Sequence, residues 1–302
     1  MKPNKAVLVF GNGFDLDLGF KTRYCDFANS AEWQEMFAKE AYRSCHYSLL
    51  KYLNDRRNTD NWFDIELALK DYTHVKTNDI WIHDKKTDER EFHIICKTLK
   101  AYLISHIENS SADITDTYAA TVLRCFQRDA DLRKIYTFNY TPLDLISRCL
   151  GLLHFVPYEF VHGSVSNDDM ILGFETESPE SVIPGYEFLL KSSNKSYKHT
   201  ELHNDLVDAG EVIIFGHSLN MIDSILFEDY LKELAQQTHS NRRLTIITKD
   251  LASHQAILHN IRKMGVSVPK LFSRAQLEFI HSSDAEDTPK LTGLLHRIDS
   301  LY

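Results

Sequence analysis

Short runs of apolar and β-branched residues recur along the chain, and several are followed by Gly, Asn or Asp and then by apolar positions at helical spacing. Runs of this length predict buried strands, and their alternation with helices is typical of a parallel sheet covered by helices. The pattern therefore predicts the α/β class. The predicted strands are Ala6–Phe10, Lys134–Phe138, Glu159–His162, Met170–Leu172, Glu211–Phe215, Leu244–Thr248 and Leu277–His281.

Helical patterns dominate the region after the first strand, where strand signals are scarce apart from a short hairpin near Ile80–Phe92. This predicts a helical insertion over residues 31–128, with residues 1–30 and 129–302 forming one α/β domain. Late in the chain an amphipathic helix is expected to pack on the sheet. The segments Ala31–Leu53, Trp62–His74, Glu91–Asn109 and Ile114–Gln127 are helix-rich, and the amphipathic helix is Ser224–Gln236. The basic cluster Lys191–Lys198 is predicted to be a surface loop, with a phosphate-contacting lid as the alternative.

Composition and charge narrow the class of protein. The chain has 302 residues, 43% of them hydrophobic, and a formal net charge of -9. A general nucleic-acid binder carries a basic surplus, because neutralised phosphates drive that binding, so nucleic acid is not an expected partner. The five cysteines form no Cys-x-x-Cys pair, and Ala6–Phe10 is too short to cross a membrane. We therefore expect a cytoplasmic protein with no membrane contact.

The first strand ends in a glycine turn, Phe10-Gly11-Asn12-Gly13-Phe14-Asp15. Glycines between a strand and a helix let backbone N–H groups approach a phosphate closely. Leu16 stands where the dinucleotide fingerprint of dehydrogenases has its third glycine, and no acid follows at the usual distance, so a dehydrogenase is not favoured. The alternative is a tight turn that binds nothing.

Two polar residues fall at the ends of later predicted strands, where open α/β sheets bind ligands. Asn139 follows Lys134–Phe138, and its amide could hold a sugar hydroxyl or orient a water molecule. Alternatively, Asn139 or Thr141 caps a helix that starts near Pro142. His162 lies beside Gly163 and could accept a proton near neutral pH, or it is a packed histidine bonded to a backbone carbonyl.

The segment Gly216-His217-Ser218-Leu219-Asn220-Met221-Ile222-Asp223 follows the strand Glu211–Phe215. Ser218 could offer its hydroxyl and N–H to a phosphate, or it caps a helix whose dipole Asp223 complements. A serine hydrolase is a rival hypothesis, because Ser218 lies on a strand-to-helix turn and Asp250 and His281 follow in the order Ser-Asp-His. Asn220, however, replaces the second glycine of a nucleophile elbow.

Six motifs occur in one order along most of the chain, namely "LVFGNGFDLDLGFKTRYCDF", "NWFDIE", "TFNYT", "VHGS", "ILGF" and "FGHSLNMIDSILF". In this order they resemble the bacteriophage abortive infection AbiH family and, more distantly, the sirtuin-like NAD-binding superfamily. The resemblance implies phage defence and a Rossmann-like parallel sheet of the sirtuin-like or DHS-like type, with a helical insertion after the first strand. It also implies NAD, or a related nucleotide, as the bound or cleaved molecule.

The resemblance further implies an essential pair, Asn139 and His162, in a reaction that breaks the nicotinamide–ribose bond. Asn139 would fix the water or a ribose hydroxyl, and His162 would withdraw a proton from one of them. Asp64 and Glu66 are candidate pocket acids, although residues two apart do not share a helix face. The cofactor-binding residues implied are Gly11, Asn12, Gly13, Asp15, Thr141, Gly163, Gly216, Ser218 and Asp223.

Two departures from the sirtuin pattern speak against protein deacetylation. Thr141 stands where deacetylases carry an Asp, and no zinc-binding cysteine set is present. No metal is expected, because the helical pair His199 and His203 lacks an obvious third ligand. A non-catalytic nucleotide sensor remains an alternative to an NAD-cleaving enzyme. A homo-oligomer or a phage-derived trigger is the expected macromolecular partner, and the insertion could gate the site or detect infection.

Overall fold

The computed structural model describes most of the chain, in two units. The first unit comprises Met1–Phe20, Ser110–Val161 and Lys198–Tyr302, and the second comprises Lys21–Asn109 and His162–Tyr197. The second unit therefore draws on both the predicted helical insertion and a later segment. The described residues are 5–43, 47–59, 64–73, 84–109, 114, 116–127, 133–152, 156–176, 182–197, 200–237 and 242–299.

A six-stranded sheet organises the first unit. Its order is β3-β2-β1-β4-β5-β6, and every neighbouring pair is parallel. The prediction of an α/β protein with a Rossmann-like parallel sheet is confirmed, since this is the strand order of doubly wound dinucleotide-binding folds. The strands are β1 (Lys5–Phe10), β2 (Arg133–Thr137), β3 (Tyr158–Phe160), β4 (Ala209–Phe215), β5 (Arg243–Thr248) and β6 (Leu277–His281).

Both faces of this sheet are buried, which explains the nearly unbroken apolar runs. Along β1, Val7 and Val9 pack into one core while Ala6, Leu8 and Phe10 pack into another. Successive side chains of a strand point to opposite faces, so a strand with helices on both sides is apolar at every position. The first-unit helices, numbered in chain order with those of the second unit, are α1 (Asn12–Asp17), α7 (Tyr118–Phe126), α8 (Leu143–Cys149), α9 (Leu202–Asp208), α10 (Glu228–Gln236), α11 (Leu251–Lys263), α12 (Val268–Arg274) and α13 (Thr288–Asp299).

Helices make up most of the second unit, as the sequence pattern indicates. Buried polar contacts support their packing: the carboxylate of Asp88 accepts hydrogen bonds from the hydroxyls of Tyr72 at 2.7 Å and Tyr186 at 2.6 Å. No helix within the described residues is both long enough and apolar enough to cross a membrane. The helices are α2 (Tyr24–Ala28), α3 (Ala31–Glu40), α4 (Leu49–Thr59), α5 (Ile65–Thr73) and α6 (Lys85–Asn109).

Two sequence predictions of local structure are wrong. Met170–Leu172 is not a strand; this segment is irregular, and the N–H of Ile171 donates to the carbonyl of His162 at 2.8 Å. The predicted hairpin fails from Lys85 onward, where α6 begins, while residues 80–83 lie outside the described part. The helix-rich segment Ala31–Leu53 does contain helices, since α3 ends at Glu40 and α4 begins at Leu49.

Candidate functional site

The carboxyl ends of β1, β2 and β4 form the candidate site of the first unit. β1 pairs with β2 on one side and with β4 on the other. The chain continues to β3 beyond β2 and to β5 and β6 beyond β4, so the switch in strand order lies between β1 and β4. In open α/β sheets, ligands bind outside the carboxyl ends of the strands at this switch point.

The glycine turn after β1 packs directly on the turn after β4. The N–H of Gly11 donates to the carbonyl of Phe215 at 2.9 Å, and the N–H of Gly13 donates to the carbonyl of Gly216 at 2.8 Å. A Cβ on Gly13 would lie 2.6 Å from Cα of Gly216, closer than side chains approach. Gly216 itself has a φ of +66°, a conformation that favours glycine. Packing therefore accounts for these glycines even without a ligand.

Asp15, Asn139 and Thr141 form a buried hydrogen-bonded cluster beside this turn. Nδ2 of Asn139 donates to Oδ1 of Asp15 at 2.8 Å and to the carbonyl of Gly11 at 3.0 Å. The hydroxyl of Thr141 donates to Oδ2 of Asp15. The helix α8 begins after Pro142 with no side-chain cap, so Asn139 and Thr141 do not cap it. The sequence-predicted residues that follow β1 and β2 thus meet in one cluster.

Burial dominates the electrostatics of Asp15, whose exposed fraction is 1%. Loss of solvation raises the pKa of this carboxyl from its ordinary value to about 7, although the hydrogen bonds from Thr141 and Asn139 act in the opposite direction. A carboxyl of this kind exchanges its proton near neutral pH, where most aspartates stay ionised. Asp15 is therefore the titratable group of the cluster.

His217, which the sequence analysis did not select, connects the β2 and β4 sides of this edge. Its ring lies 4.4 Å from the ring of Phe138, between centroids. Nδ1 accepts a hydrogen bond from the N–H of Leu219 at 3.0 Å, so Nε2 carries the proton and faces Oδ2 of Asp223 at 3.5 Å. The signal in the sequence was the position of His217 directly after Gly216 at the end of a strand, where open α/β sheets bind ligands.

The structure gives no support to a serine hydrolase arrangement. Oδ1 of Asp250 accepts hydrogen bonds from the N–H and hydroxyl of Ser253, as a cap of α11. Nδ1 of His281 lies 3.0 Å from Asp287. No hydrogen bond joins Ser218 to either residue among the described contacts, and residues 217–220 are irregular, so Ser218 does not cap α10.

His162 belongs to the second unit, and its side chain is buried rather than exposed. Its exposed fraction is 6%, and its Nε2 lies 3.1 Å from Nζ of Lys191. Nζ of Lys191 also lies 3.2 Å from Oε2 of Glu66. The prediction that Lys191 lies in a surface loop is wrong, because only 2% of this residue is exposed.

The other predicted residues of the second unit have structural contacts. Oδ1 of Asp64 accepts hydrogen bonds from the N–H groups of Glu66 at 2.9 Å and Leu67 at 3.2 Å, which caps the start of α5. Gly163 has a φ of +72°, and a Cβ there would lie 1.9 Å from the carbonyl oxygen of Asp169. Glu66 contacts Lys191, which in turn lies against His162.

The fold and the carboxyl-edge cluster define an α/β protein with Rossmann-like strand order and polar residues gathered at its switch point. The chain belongs to the family described as bacteriophage abortive infection AbiH, whose family model matches residues 7–248. The protein accordingly has a role in defence against phage by abortive infection. A search of curated proteins finds no match.

Proposed function

We propose that this AbiH protein binds NAD or a related nucleotide at the carboxyl edge of the first unit and cleaves the bond between nicotinamide and ribose. The observation that supports this most is the position of Asn139: its amide is fixed against the β1 turn at the switch point between β1 and β4. The proposal includes a sirtuin-like type of nucleotide binding. Loss of NAD would stop the metabolism of the infected cell, which suits abortive infection.

Cleavage of the nicotinamide–ribose bond needs few catalytic groups. Nicotinamide leaves as a neutral molecule from a cationic ring, so no strong nucleophile is needed, and the enzyme must stabilise a cationic sugar and position one water molecule. Both donors of the Asn139 amide face the protein, toward Gly11 and Asp15. Among the described residues its Oδ1 has no hydrogen-bond partner, so this oxygen can accept a hydrogen bond from the water or from a ribose hydroxyl.

The proposed residues differ in how they would contact the nucleotide. Oδ2 of Asp223 lies 3.5 Å from Nε2 of His217, and the proposal assigns the Asp223 carboxylate to a ribose hydroxyl. The N–H groups of Gly11 and Gly13 are already bonded to β4 and its turn. The proposal therefore places the diphosphate at this turn because the turn lies at the switch point. Asn12 and Ser218 are the neighbouring residues that would contact the diphosphate. His162, in the second unit, is the second essential residue by resemblance.

A non-catalytic nucleotide sensor is the second candidate function, and one observation favours it. Both carboxylate oxygens of Asp15 accept hydrogen bonds from neighbouring side chains, Asn139 and Thr141. Such a closed network holds the ends of β1 and β2 in place without any chemistry. In that case the same pocket would bind NAD or ADP-ribose and change the affinity for a partner.

Nicotinamide release separates these two functions. The purified chain is incubated with NAD, alone and with lysate of phage-infected cells, and free nicotinamide is quantified. We expect release by the parent chain and a loss of at least about a hundredfold in Asn139→Ala and in His162→Ala. Asn204→Ala and His259→Ala change exposed residues of the same types and should keep the parent rate. NAD that stays intact under both conditions contradicts the proposal.

Calorimetry on the same samples tests the sensor. A heat of NAD binding without nicotinamide release, which Asn139→Ala abolishes and Asn204→Ala retains, would assign the sensor function. Absence of both binding and release would exclude both candidates.

A further inference from the structure

A buried cluster of three titratable side chains lies in the second unit. The sequence analysis named His162 and Glu66 as candidate site residues but placed Lys191 in a surface loop. Nζ of Lys191 is 3.2 Å from Oε2 of Glu66 and 3.1 Å from Nε2 of His162. The exposed fractions of Glu66, Lys191 and His162 are 8%, 2% and 6%. A lysine so deeply buried is rare unless it is paired, because an isolated ammonium loses its hydration.

The backbone around Lys191 holds this lysine in place. Its N–H donates to the carbonyl of Phe174 at 2.9 Å, and the N–H of Phe174 donates to the carbonyl of Leu189 at 3.1 Å. A bridge between Phe174 and Leu190 joins the two segments. The carbonyl of Leu189 also lies against Gly173, where a Cβ would come within 2.4 Å. The backbone position of Lys191 is therefore set by two tightly joined segments.

The donors and acceptors of the cluster determine which nitrogen of His162 carries the proton. The carboxylate of Glu66 favours the ammonium form of Lys191, and an ammonium has three donors and no acceptor. Nε2 of His162 must then accept a hydrogen bond from Lys191. A neutral imidazole whose Nε2 accepts carries its proton on Nδ1.

We propose that Lys191 is a positioning residue for His162: the Glu66–Lys191 ion pair keeps the imidazole neutral, with its proton on Nδ1. This deepens the proposed function and rests on it for the reaction. His162 then acts as a hydrogen-bond donor through Nδ1 and not as a base through Nε2. Taking a proton on Nε2 would create a second cation 3.1 Å from the ammonium in a buried site.

The protonated nitrogen can be observed directly. The full-length chain is labelled with [15N]histidine, and two-bond proton–nitrogen spectra distinguish Nδ1–H from Nε2–H. The signal of His162 is the one lost in His162→Gln. We expect the Nδ1–H tautomer from pH 8 down to pH 6 in the parent chain. An Nε2–H tautomer, or an imidazolium at pH 6, overturns the proposal without any need for a variant at Lys191.

Variants at Lys191 test the cause. In Lys191→Met the imidazole loses the neighbouring cation and should take up a proton between pH 8 and pH 6, as an ordinary histidine does. Lys191→Arg keeps the charge and should retain the neutral form. Lys195→Met changes an exposed lysine four positions away and should match the parent chain. An unchanged His162 spectrum in folded Lys191→Met contradicts the assignment.

The pH profile of nicotinamide release connects the cluster to the reaction. The parent rate should stay level between pH 8 and pH 6, whereas the rate of Lys191→Met should fall at least about threefold over this range, because a growing fraction of His162 is protonated. A parent rate that falls in the same way overturns the proposal. If no variant releases nicotinamide, the proposed function fails and the tautomer measurement still decides the state of His162.

Discussion

At the scale of single residues, burial decides the chemistry of the candidate site. Asp15 is enclosed by Asn139 and Thr141, and its carboxyl loses solvation that hydrogen bonds only partly replace. The pKa of Asp15 is raised to about 7, so the folded chain holds this proton more tightly than the unfolded chain does. The stability that Asp15 contributes is fully present below about pH 4 and is lost as the pH rises through about 7.

This dependence predicts the behaviour of Asp15→Asn, which removes the titration but keeps the shape of the side chain. Between pH 4 and pH 8 the free energy of unfolding of the parent chain should fall by up to roughly 4 kcal/mol more than that of the variant. Denaturant unfolding at a series of pH values measures the difference. Asp208→Asn, at an exposed position, should follow the parent chain, and parallel curves for parent and Asp15→Asn would be the contrary result.

The contact between the two turns gives a second prediction at this scale. Gly216 and Gly151 both have positive φ, at +66° and +68°, but a Cβ on Gly216 would lie 2.3 Å from the backbone nitrogen of Phe14, whereas one on Gly151 meets nothing within 4 Å. Gly151→Ala should cost about 1 kcal/mol from backbone strain alone. Gly216→Ala should cost roughly 3 kcal/mol or more, measured by denaturant unfolding. Equal losses would mean that the turns do not pack as described.

The residue pattern could select single site residues only where a strand end marked them, whereas Asp64 and Glu66 were selected through the family resemblance. Asn139 and Asp15 follow strands whose apolar runs are unambiguous, and parallel strands bring such ends to one edge. Lys191 carried the opposite signal, because it begins a polar, basic stretch that is typical of a surface loop. Its burial depends on Glu66, 125 positions away, and no local pattern reports so distant a partner.

At the scale of elements, the sheet was predictable because burial on both faces makes each strand a compact apolar run. The six strands of the first unit all coincide with predicted runs. Met170–Leu172 has the same composition, yet its apolar residues are buried in an irregular segment. A three-residue run cannot distinguish these cases, because it is shorter than the period needed to recognise an element.

Arg133 gives a prediction at this scale, because it connects the ends of two helices. Its guanidinium donates to the carbonyls of Cys125 at 2.7 Å and Phe126 at 3.0 Å in α7, and to that of Ile298 at 2.8 Å in α13. The last carbonyls of a helix lack partners within the helix and favour a cation.

Arg133→Met should therefore remove the guanidinium donor from three buried carbonyls and lower the free energy of unfolding by about 2–4 kcal/mol. Thermal unfolding followed by circular dichroism measures this loss. Arg148→Met, which removes an exposed arginine in α8, should change stability by less than about 0.5 kcal/mol. Similar melting temperatures for the two variants would show that the capping contacts contribute little.

At the scale of the whole molecule, the proposed reaction has to be consistent with the role of the AbiH family in phage defence. The AbiH family model covers residues 7–248, which includes the β1 turn, Asn139, His162 and the β4 turn. The formal net charge of -9 is the reason that nucleic acid is not an expected partner. The proposed target is instead a small molecule that every infected cell contains, namely NAD, which the site is proposed to cleave.

The NAD content of infected cells tests this claim most directly. Cells that express the parent chain or Asn139→Ala are infected at equal multiplicity, and NAD, nicotinamide and ADP-ribose are quantified by mass spectrometry through one infection cycle. In parent cells, NAD should fall at least about tenfold before lysis while nicotinamide and ADP-ribose rise, and cells with Asn139→Ala should keep their NAD and lose protection. Protection by the parent chain with NAD unchanged would contradict the account.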